Sequence, residues 1–348
     1  MDMNSKTGWW GFRLLTAAIL LVTGYSVLAL LGRGEVLAQR ILWGALIIGL
    51  AGGLLVARAS LVHEPVIRRR ITGLWGVGMS VLGAASLALA VILTPPPSVV
   101  LALRWVSVYG GLGLVGAALF YALTRRFSNV PSLWVADSLL SVGFLLVSGT
   151  VLLGGSVVLM VAPPLAWGAA AGIAICPLIF GAHAFRALSD RNTTQTLAGS
   201  WAAIFVLYLI LAGCFVAVLS LPGVRAWVAD SQLEDLPFYI LSHALIALIF
   251  GVANQAAAEL HGQNKRVTGW VPLWLLVGSG LVGSIGHLLV GVLEGTLSQI
   301  AGGTEEAIAN AIQPVGTLLT GSASLLACSC LIYAATFMLR RPRRRSIL

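Results

Sequence analysis

Two histidines lie inside long apolar runs, and their type and spacing make them the strongest candidates for chemistry. His243 is in the run LPFYILSHALIALIFGVANQAAAEL, and His287 is in WVPLWLLVGSGLVGSIGHLLVGVLE. Ionisable side chains are costly inside a bilayer and usually have a role there. Neutral imidazole is a common ligand of copper, iron and zinc, so the pair could supply two ligands of a metal site.

The two runs predict consecutive antiparallel helices that place both histidines at one depth. His243 is seven residues after Leu236, and His287 is seven residues before Glu294. With a rise of about 1.5 Å per residue, both imidazoles should lie about 10 Å from the same end of the hairpin. The two side chains can meet if the faces of the helices agree. Otherwise each histidine hydrogen-bonds a neighbouring helix and no site is formed.

Small residues share a helical stripe with His287. Gly280, Gly283 and Gly291 recur at helical spacing, and such bare backbone lets a neighbouring helix or a flat cofactor approach closely. Further ligands are scarce, because the remaining histidines fall at or beyond the predicted helix ends. These are His63, His183 and His261. Other polar groups within the predicted helices are Arg104, Asp137, Asn254, Gln255 and Gln313.

The composition requires that lipid surround most of the chain. Of the 348 residues, 58% are hydrophobic and 9% are charged, whereas soluble domains carry roughly 25% charged residues. The apolar runs have the length of membrane helices and lack the alternation of barrel strands. We therefore predict an all-α, polytopic helical bundle that forms a single transmembrane domain.

About ten spanning helices account for the apolar runs. They are placed at roughly 12–31, 41–57, 73–94, 99–124, 134–153, 157–180, 197–220, 236–258, 268–293 and 308–339. With the N-terminus inside, 17 of the 21 lysines and arginines fall in inner segments and three fall in outer loops. Because positive residues favour the cytoplasmic side, we predict that both termini are cytoplasmic, in a bacterial or archaeal cytoplasmic membrane.

An internal repeat relates the fourth and fifth predicted spans to the eighth and ninth. Each pair has a glycine-containing helix, a short basic loop and a second helix that begins near proline and tryptophan. Gly116 corresponds to Gly251, and Arg125–Arg126 corresponds to Lys265–Arg266. The offset of four helices predicts a parallel repeat about an axis along the membrane normal.

The hairpin resembles helices six and seven of the heme-copper oxidase catalytic subunit, especially in the C-type oxidases and nitric oxide reductases. The similar residues are LSHALIALIFGVANQ, the basic loop, and a tryptophan-containing helix with a histidine near its outer end. The resemblance implies that His243 and His287 bind copper or heme in a respiratory or redox setting. Several of that family's heme ligands have no counterpart, because the fourth span has no histidine and Gly286 and Leu288 flank His287. We therefore expect a reduced relative and not a complete oxidase or reductase.

Two other functions fit the sequence. The repeat, the glycine-rich helices and the scattered polar groups also suit a transporter or permease, with a path lined by residues such as Arg104, Asn254, Gln255 and His287. The low number of polar residues within the spans suits a ligand-free structural subunit of a membrane complex, which would contact other membrane subunits.

The remaining motifs are structural. The C-terminal run RRPRRR would lie against anionic lipid headgroups, and we do not expect nucleic-acid binding. Cys176, Cys214, Cys328 and Cys330 all lie in apolar runs and lack disulfide or zinc spacing. The side chains of Cys328 and Cys330 should point to different faces of one helix.

Overall fold

Long apolar helices dominate the part of the chain that the structure describes. The computed structural model describes residues 6–32, 35–60, 197–219, 231–260, 269–299 and 305–340, with scattered positions between 112 and 227. Six of its helices are long and apolar enough to cross a membrane. Crossing the hydrocarbon layer takes about 20 apolar residues, and these helices have 23 to 36 residues. The chain is therefore a multi-pass integral membrane protein.

The six helices agree with six of the predicted spans, with ends that differ by at most six residues. They are α1 (Lys6–Leu30), α2 (Glu35–Ser60), α3 (Leu197–Leu219), α4 (Leu236–Leu260), α5 (Val271–Gln299) and α6 (Glu305–Arg340). A short 3-10 turn, Gln232–Asp235, leads directly into α4. The predicted spans 73–94, 99–124, 134–153 and 157–180 lie wholly or largely outside the described residues, as does most of the first copy of the repeat.

Helix α4 is the centre of the bundle. In the most apolar stretch of α4, 94% of the residues are buried within protein, whereas 28% are buried in the corresponding stretch of α1. It contacts α1, α2, α3 and α5 as well as the 3-10 turn that precedes it. A helix that is apolar on every side suits this position, because every one of its faces is covered. His243 is therefore carried by the most enclosed helix in the described part of the chain.

The helices around α4 pack as close neighbours. The pairs α1–α2 and α5–α6 make extensive contacts, and α1 also contacts α6. In the α1–α2 crossing, a Cβ atom at Gly11 would lie 2.7 Å from the carbonyl oxygen of Gly52. Glycine is needed there because the two backbones approach too closely for a side chain. The rings of Phe12 and Phe337 are 5.7 Å apart, so the start of α1 and the end of α6 lie at one end of the bundle.

The opposite end of the bundle holds residues 31–32, the 3-10 turn and the start of α4, and we call it the upper end. Residues from all three of these regions line one cavity there. The outward faces of the helices carry large apolar side chains such as Leu20, Ile47, Trp274 and Leu281. Side chains of this kind suit contact with lipid, whereas the polar groups of the bundle turn inward near the upper end.

Candidate functional site

His243 lies two turns into α4 and is surrounded by protein. Its side chain is 1% exposed. Nδ1 is 3.0 Å from the backbone carbonyl oxygen of Tyr239, one turn earlier, and Nε2 is 3.2 Å from Oγ of Ser279 on α5. A carbonyl oxygen can only accept, so Nδ1 carries the hydrogen and, in a neutral ring, Nε2 is the acceptor. Both ring nitrogens therefore have protein partners.

The partners of His243 extend this network to a third helix. Tyr239 Oη lies 2.6 Å from Ser322 Oγ, on α6, and 3.1 Å from the carbonyl oxygen of Ser279. Ser322 Oγ donates to that carbonyl oxygen at 2.9 Å. Tyr239 can donate to Ser322, and Ser322 donates to the Ser279 carbonyl. The Ser279 hydroxyl has one hydrogen, which can be directed to the Ser322 carbonyl oxygen, 2.9 Å from Oγ, or to His243 Nε2. We call Tyr239, His243, Ser279 and Ser322 the polar network, and it joins α4, α5 and α6.

The ring of Tyr239 contacts both histidines. Its centroid is 4.5 Å from that of His243 and 4.7 Å from that of His287. The two histidines therefore face the same region of the hairpin, and a shared aromatic ring connects them. The sequence predicts that the two histidines can meet if the faces of their helices agree. In the structure, the ring of Tyr239 links them.

His287 occupies a more open position than His243. It is half-buried, it lines a cavity, and its Nδ1 atom has no hydrogen-bond partner among the described residues. Asp235, at the end of the 3-10 turn, is close enough to interact with the imidazole electrostatically. His287 thus has a ring nitrogen that is buried and unpartnered, whereas both ring nitrogens of His243 have partners.

The cavity lies at the upper end of the bundle and has a volume of about 520 Å³. Its wall is built by α1, α2, the 3-10 turn, α4, α5 and α6. A cavity of this size can hold a small organic molecule, since ligand pockets are commonly about 300–1,000 Å³. Its polar and aromatic lining consists of Tyr25, Gln39, Trp43, Gln232, Asp235, Phe238, Tyr239, Ser242, His287 and Ser322.

The polar network forms the floor of this cavity. Tyr239 and Ser322 line it, and the other two members of the network lie behind them with at most 1% exposure. Further down, Phe250 and Tyr333 stack with ring centroids 3.7 Å apart, and Trp201 packs edge-on against Phe250 at 5.4 Å. Tyr333 also donates to the carbonyl oxygen of Phe250 at 2.7 Å. The bundle is thus polar beneath the cavity and densely aromatic below that.

The predicted glycine stripe is present, and protein side chains cover it. A Cβ atom at Gly280 would collide with the hydroxyl of Tyr208, which donates to the carbonyl oxygen of Val277 at 2.9 Å. At Gly283 it would collide with Tyr239. Of the two occupants that the sequence allows, a neighbouring helix or a flat cofactor, the structure places neighbouring segments here. The side chains involved are Tyr208 at Gly280, Tyr239 and Ser322 at Gly283, and Leu233 at Gly291.

The predicted metal site stays a prediction for His243 and His287. Within residues that the structure describes, no three His, Cys, Asp or Glu side chains come together to hold a metal ion. His243 would have to give up its bond to Ser279 before Nε2 could bind a metal. The described residues therefore offer one unpartnered imidazole nitrogen, the buried Nδ1 atom of His287, and further ligands would have to come from elsewhere in the chain.

Other polar residues singled out in the sequence have separate surroundings. Glu294 accepts a hydrogen bond from the backbone N–H of Gln232 at 2.7 Å and so ties α5 to the 3-10 turn. Asn254 is buried and Gln255 half-buried lower in α4, and neither lines the cavity. Gln313 is exposed on α6. Outside the described residues lie Arg104, Asp137, His63, His183, His261 and Cys176.

Three of the four cysteines lie among the described residues, and they are buried to different degrees. Cys214 is half-buried. Cys328 is exposed and Cys330 is buried, which confirms that their side chains point to different faces of α6.

Several residues of the site carry no signal in the sequence strong enough to single them out. Tyr239 is one helical turn before His243, so helical spacing could have paired them. Ser279 and Ser322 are common small residues of membrane helices, and their role comes from the packing of α5 against α6. The same holds for Tyr25 and Trp43, which are far from the hairpin in the sequence and line its cavity.

No protein family and no curated protein matches this chain. The function must therefore be argued from the cavity and the residues around it.

Proposed function

We propose that this protein is a membrane transporter or permease that takes up a small solute in the cavity at its upper end. The observation that carries this proposal is the cavity itself, of about 520 Å³, within the membrane bundle. Polar groups are expensive in the hydrocarbon layer, so a cluster of them around a space of ligand size favours a solute site over simple packing. Tyr239, His287 and Ser322 provide hydrogen-bonding groups within that space.

The polar network gives this function a gate. Tyr239 and Ser322 belong both to the cavity lining and to the bonds that join three helices. A solute with hydroxyl or amine groups can exchange bonds with these side chains. Passage to the lower end would require α4, α5 and α6 to separate at this network, as in transporters that open alternately to the two sides.

The charge distribution supports an orientation for this movement. We propose that both termini are cytoplasmic, because most lysines and arginines fall in the predicted inner segments. The upper end, with the cavity, then faces the outside of a bacterial or archaeal cytoplasmic membrane. The basic C-terminal run would contact anionic lipid on the inner side.

Thiol accessibility tests whether the cavity admits solutes. Ala323 lines the cavity, and Ala327, one turn further along α6, is 2% exposed and does not line it. We expect N-ethylmaleimide to label the introduced thiol of the Ala323→Cys variant much faster than that of the matched Ala327→Cys variant. Labelling is read at the peptide by mass spectrometry, so the native cysteines do not interfere. Equal, slow labelling at both positions would reject a solute cavity.

A second proposal keeps the metal or heme function that the oxidase resemblance implies. Its support in the structure is the unpartnered Nδ1 atom of His287 and the contact of both histidines with Tyr239. Purified protein should then contain heme or copper, detected by absorption and metal analysis, and should lose it in the His243→Ala, His287→Ala double variant. Metal-free protein without a Soret band would reject this proposal. If the solute test also fails, a ligand-free structural subunit is the remaining function.

A further inference from the structure

We propose that the cavity selects an organic cation, that is, a quaternary ammonium or protonated amine of small size. This inference rests on the proposed solute-binding function and names the substrate class. Two independent features of the cavity lining support the preference for a cation, namely its aromatic side chains and its charge.

Aromatic rings enter the cavity from three different helices. Tyr25 comes from α1, Trp43 from α2, and Phe238 and Tyr239 from the first turn of α4. The face of an aromatic ring attracts a cation within about 6 Å, and tryptophan does so most strongly. Several rings around one space can replace the water around an ammonium group that has no hydrogen to donate. A neutral solute of the same shape gains only the apolar contact.

The charge of the cavity lining is negative, which suits a cationic ligand. Asp235 lines the cavity, and no lysine or arginine is among the described residues that do so. Arg40, beside the lining residue Gln39, is exposed and lies outside the lining. In the sequence, segments 221–236 and 294–306 carry net charges of −2 and −3, and segment 32–40 carries +1, so the three segments together are acidic. A cation is therefore attracted to the cavity, and an anion of equal size is repelled.

The remaining polar groups suit the rest of such a ligand. Tyr239 and Ser322 can donate to or accept from a hydroxyl group of the ligand. Asp235 also precedes the first turn of α4, where a negative charge stabilises the helix N-terminus. The experiment must therefore separate ligand binding from this structural effect.

Protection of the introduced thiol from N-ethylmaleimide measures selectivity in the full-length Ala323→Cys protein in lipid nanodiscs. The probes are choline and its uncharged carbon isostere, 3,3-dimethylbutan-1-ol, with isethionate as an anion of similar size. We expect choline to protect at a concentration about tenfold lower than the isostere does, the ratio that one cation–π contact with a partly desolvated cation provides. Isethionate should not protect.

Substitutions in the Ala323→Cys background locate the source of the preference. Asp235→Asn and Trp43→Leu should each reduce the ratio between choline and its isostere several-fold, with protection in each variant measured relative to its own labelling rate in the absence of probe. Glu294→Gln is the matched control, because it removes one negative charge at the same end from a side chain that does not line the cavity. It should leave the ratio nearly unchanged.

The possible results distinguish this inference from the function on which it rests. Equal protection by choline and its isostere, stronger protection by isethionate, or protection by none of the three would overturn the cation preference, while rapid labelling of the Ala323→Cys protein would still support a solute cavity. Slow labelling of that protein without any probe would reject the solute cavity itself.

Discussion

His243 lies seven residues after the start of α4 and His287 lies 12 residues before the end of α5. The ring of Tyr239 contacts both, yet their surroundings differ. His243 is enclosed, and both of its ring nitrogens have partners. His287 is half-buried beside the cavity, and its Nδ1 atom has none among the described residues. Depth in the membrane follows from helix geometry alone, whereas burial follows from what the other helices place opposite each residue.

The difference assigns the histidines to different roles. His243 holds α4 to α5 through Ser279 and belongs to the floor of the cavity. His287 contributes to its wall, near Asp235. Tyr239 contacts both imidazole rings, so a displacement of one histidine can shift the other through this tyrosine.

Removing each imidazole should affect stability very differently. His243→Ala leaves a cavity in the enclosed centre of the bundle and removes the hydrogen bonds of the imidazole to Tyr239 and Ser279, so we expect a loss of about 2–4 kcal/mol. His287→Ala enlarges an existing cavity and should lower stability by less than about 1 kcal/mol. Unfolding of the purified proteins by titration with dodecyl sulfate in mixed micelles measures both. Equal losses would contradict the division of roles.

Much of the fold was predictable from the sequence, because apolar length is a direct consequence of bilayer thickness. The spans at 197–220 and 236–258 agree with Leu197–Leu219 and Leu236–Leu260 almost to the residue. Agreement is poorer at α2, predicted from 41 and observed from Glu35, because the polar residues Glu35, Gln39 and Arg40 interrupt the apolar pattern. Hydropathy alone does not show that a helix continues beyond the apolar stretch.

The site was predictable only in part, for a physical reason. Depth and the glycine stripe follow from spacing along one helix, and both could be derived for His287 and Gly283. The partners of these residues come from segments far away in the sequence, such as Ser322 on α6 and Trp43 on α2. Nothing in one helix specifies which face of another will pack against it, so the network and the cavity required the structure.

Adding a methyl group at Gly283, against the polar network, should disturb the network. A Cβ atom at Gly283 would collide with Tyr239 and Ser322, so Gly283→Ala should lower stability by about 1–3 kcal/mol through overpacking. Gly278→Ala, on the same helix, is the matched control, because its Cβ would lie 3.6 Å from Leu325, an ordinary contact. Thermal unfolding of the two purified variants in one detergent compares them. If the control proves as harmful as Gly283→Ala, the cause is not this contact.

Removing a tyrosine hydroxyl should have different effects in the polar floor of the cavity and in the aromatic region below it. Tyr333→Phe removes a bond to the carbonyl oxygen of Phe250 and should lower stability by about 0.5–1.5 kcal/mol without changing thiol labelling in the Ala323→Cys background. Tyr239→Phe should cost a similar amount and should also change that labelling, because its hydroxyl belongs to the cavity floor. The same labelling rate in both variants would show that the floor does not depend on this bond.

The smallest effect is expected at the rim, where Glu294 holds the 3-10 turn through the backbone N–H of Gln232. Glu294→Leu removes the acceptor and should lower global stability by less than about 1 kcal/mol, because the bond is exposed to competing water. Its local effect should be larger, since the turn that carries Asp235 loses one of its attachments to α5. Hydrogen exchange at residues 231–235 should therefore accelerate in Glu294→Leu and remain near normal in Glu294→Gln, which keeps an oxygen acceptor. Unchanged exchange in both variants would mean that the packing of Leu233 against Gly291 is enough to fix the turn.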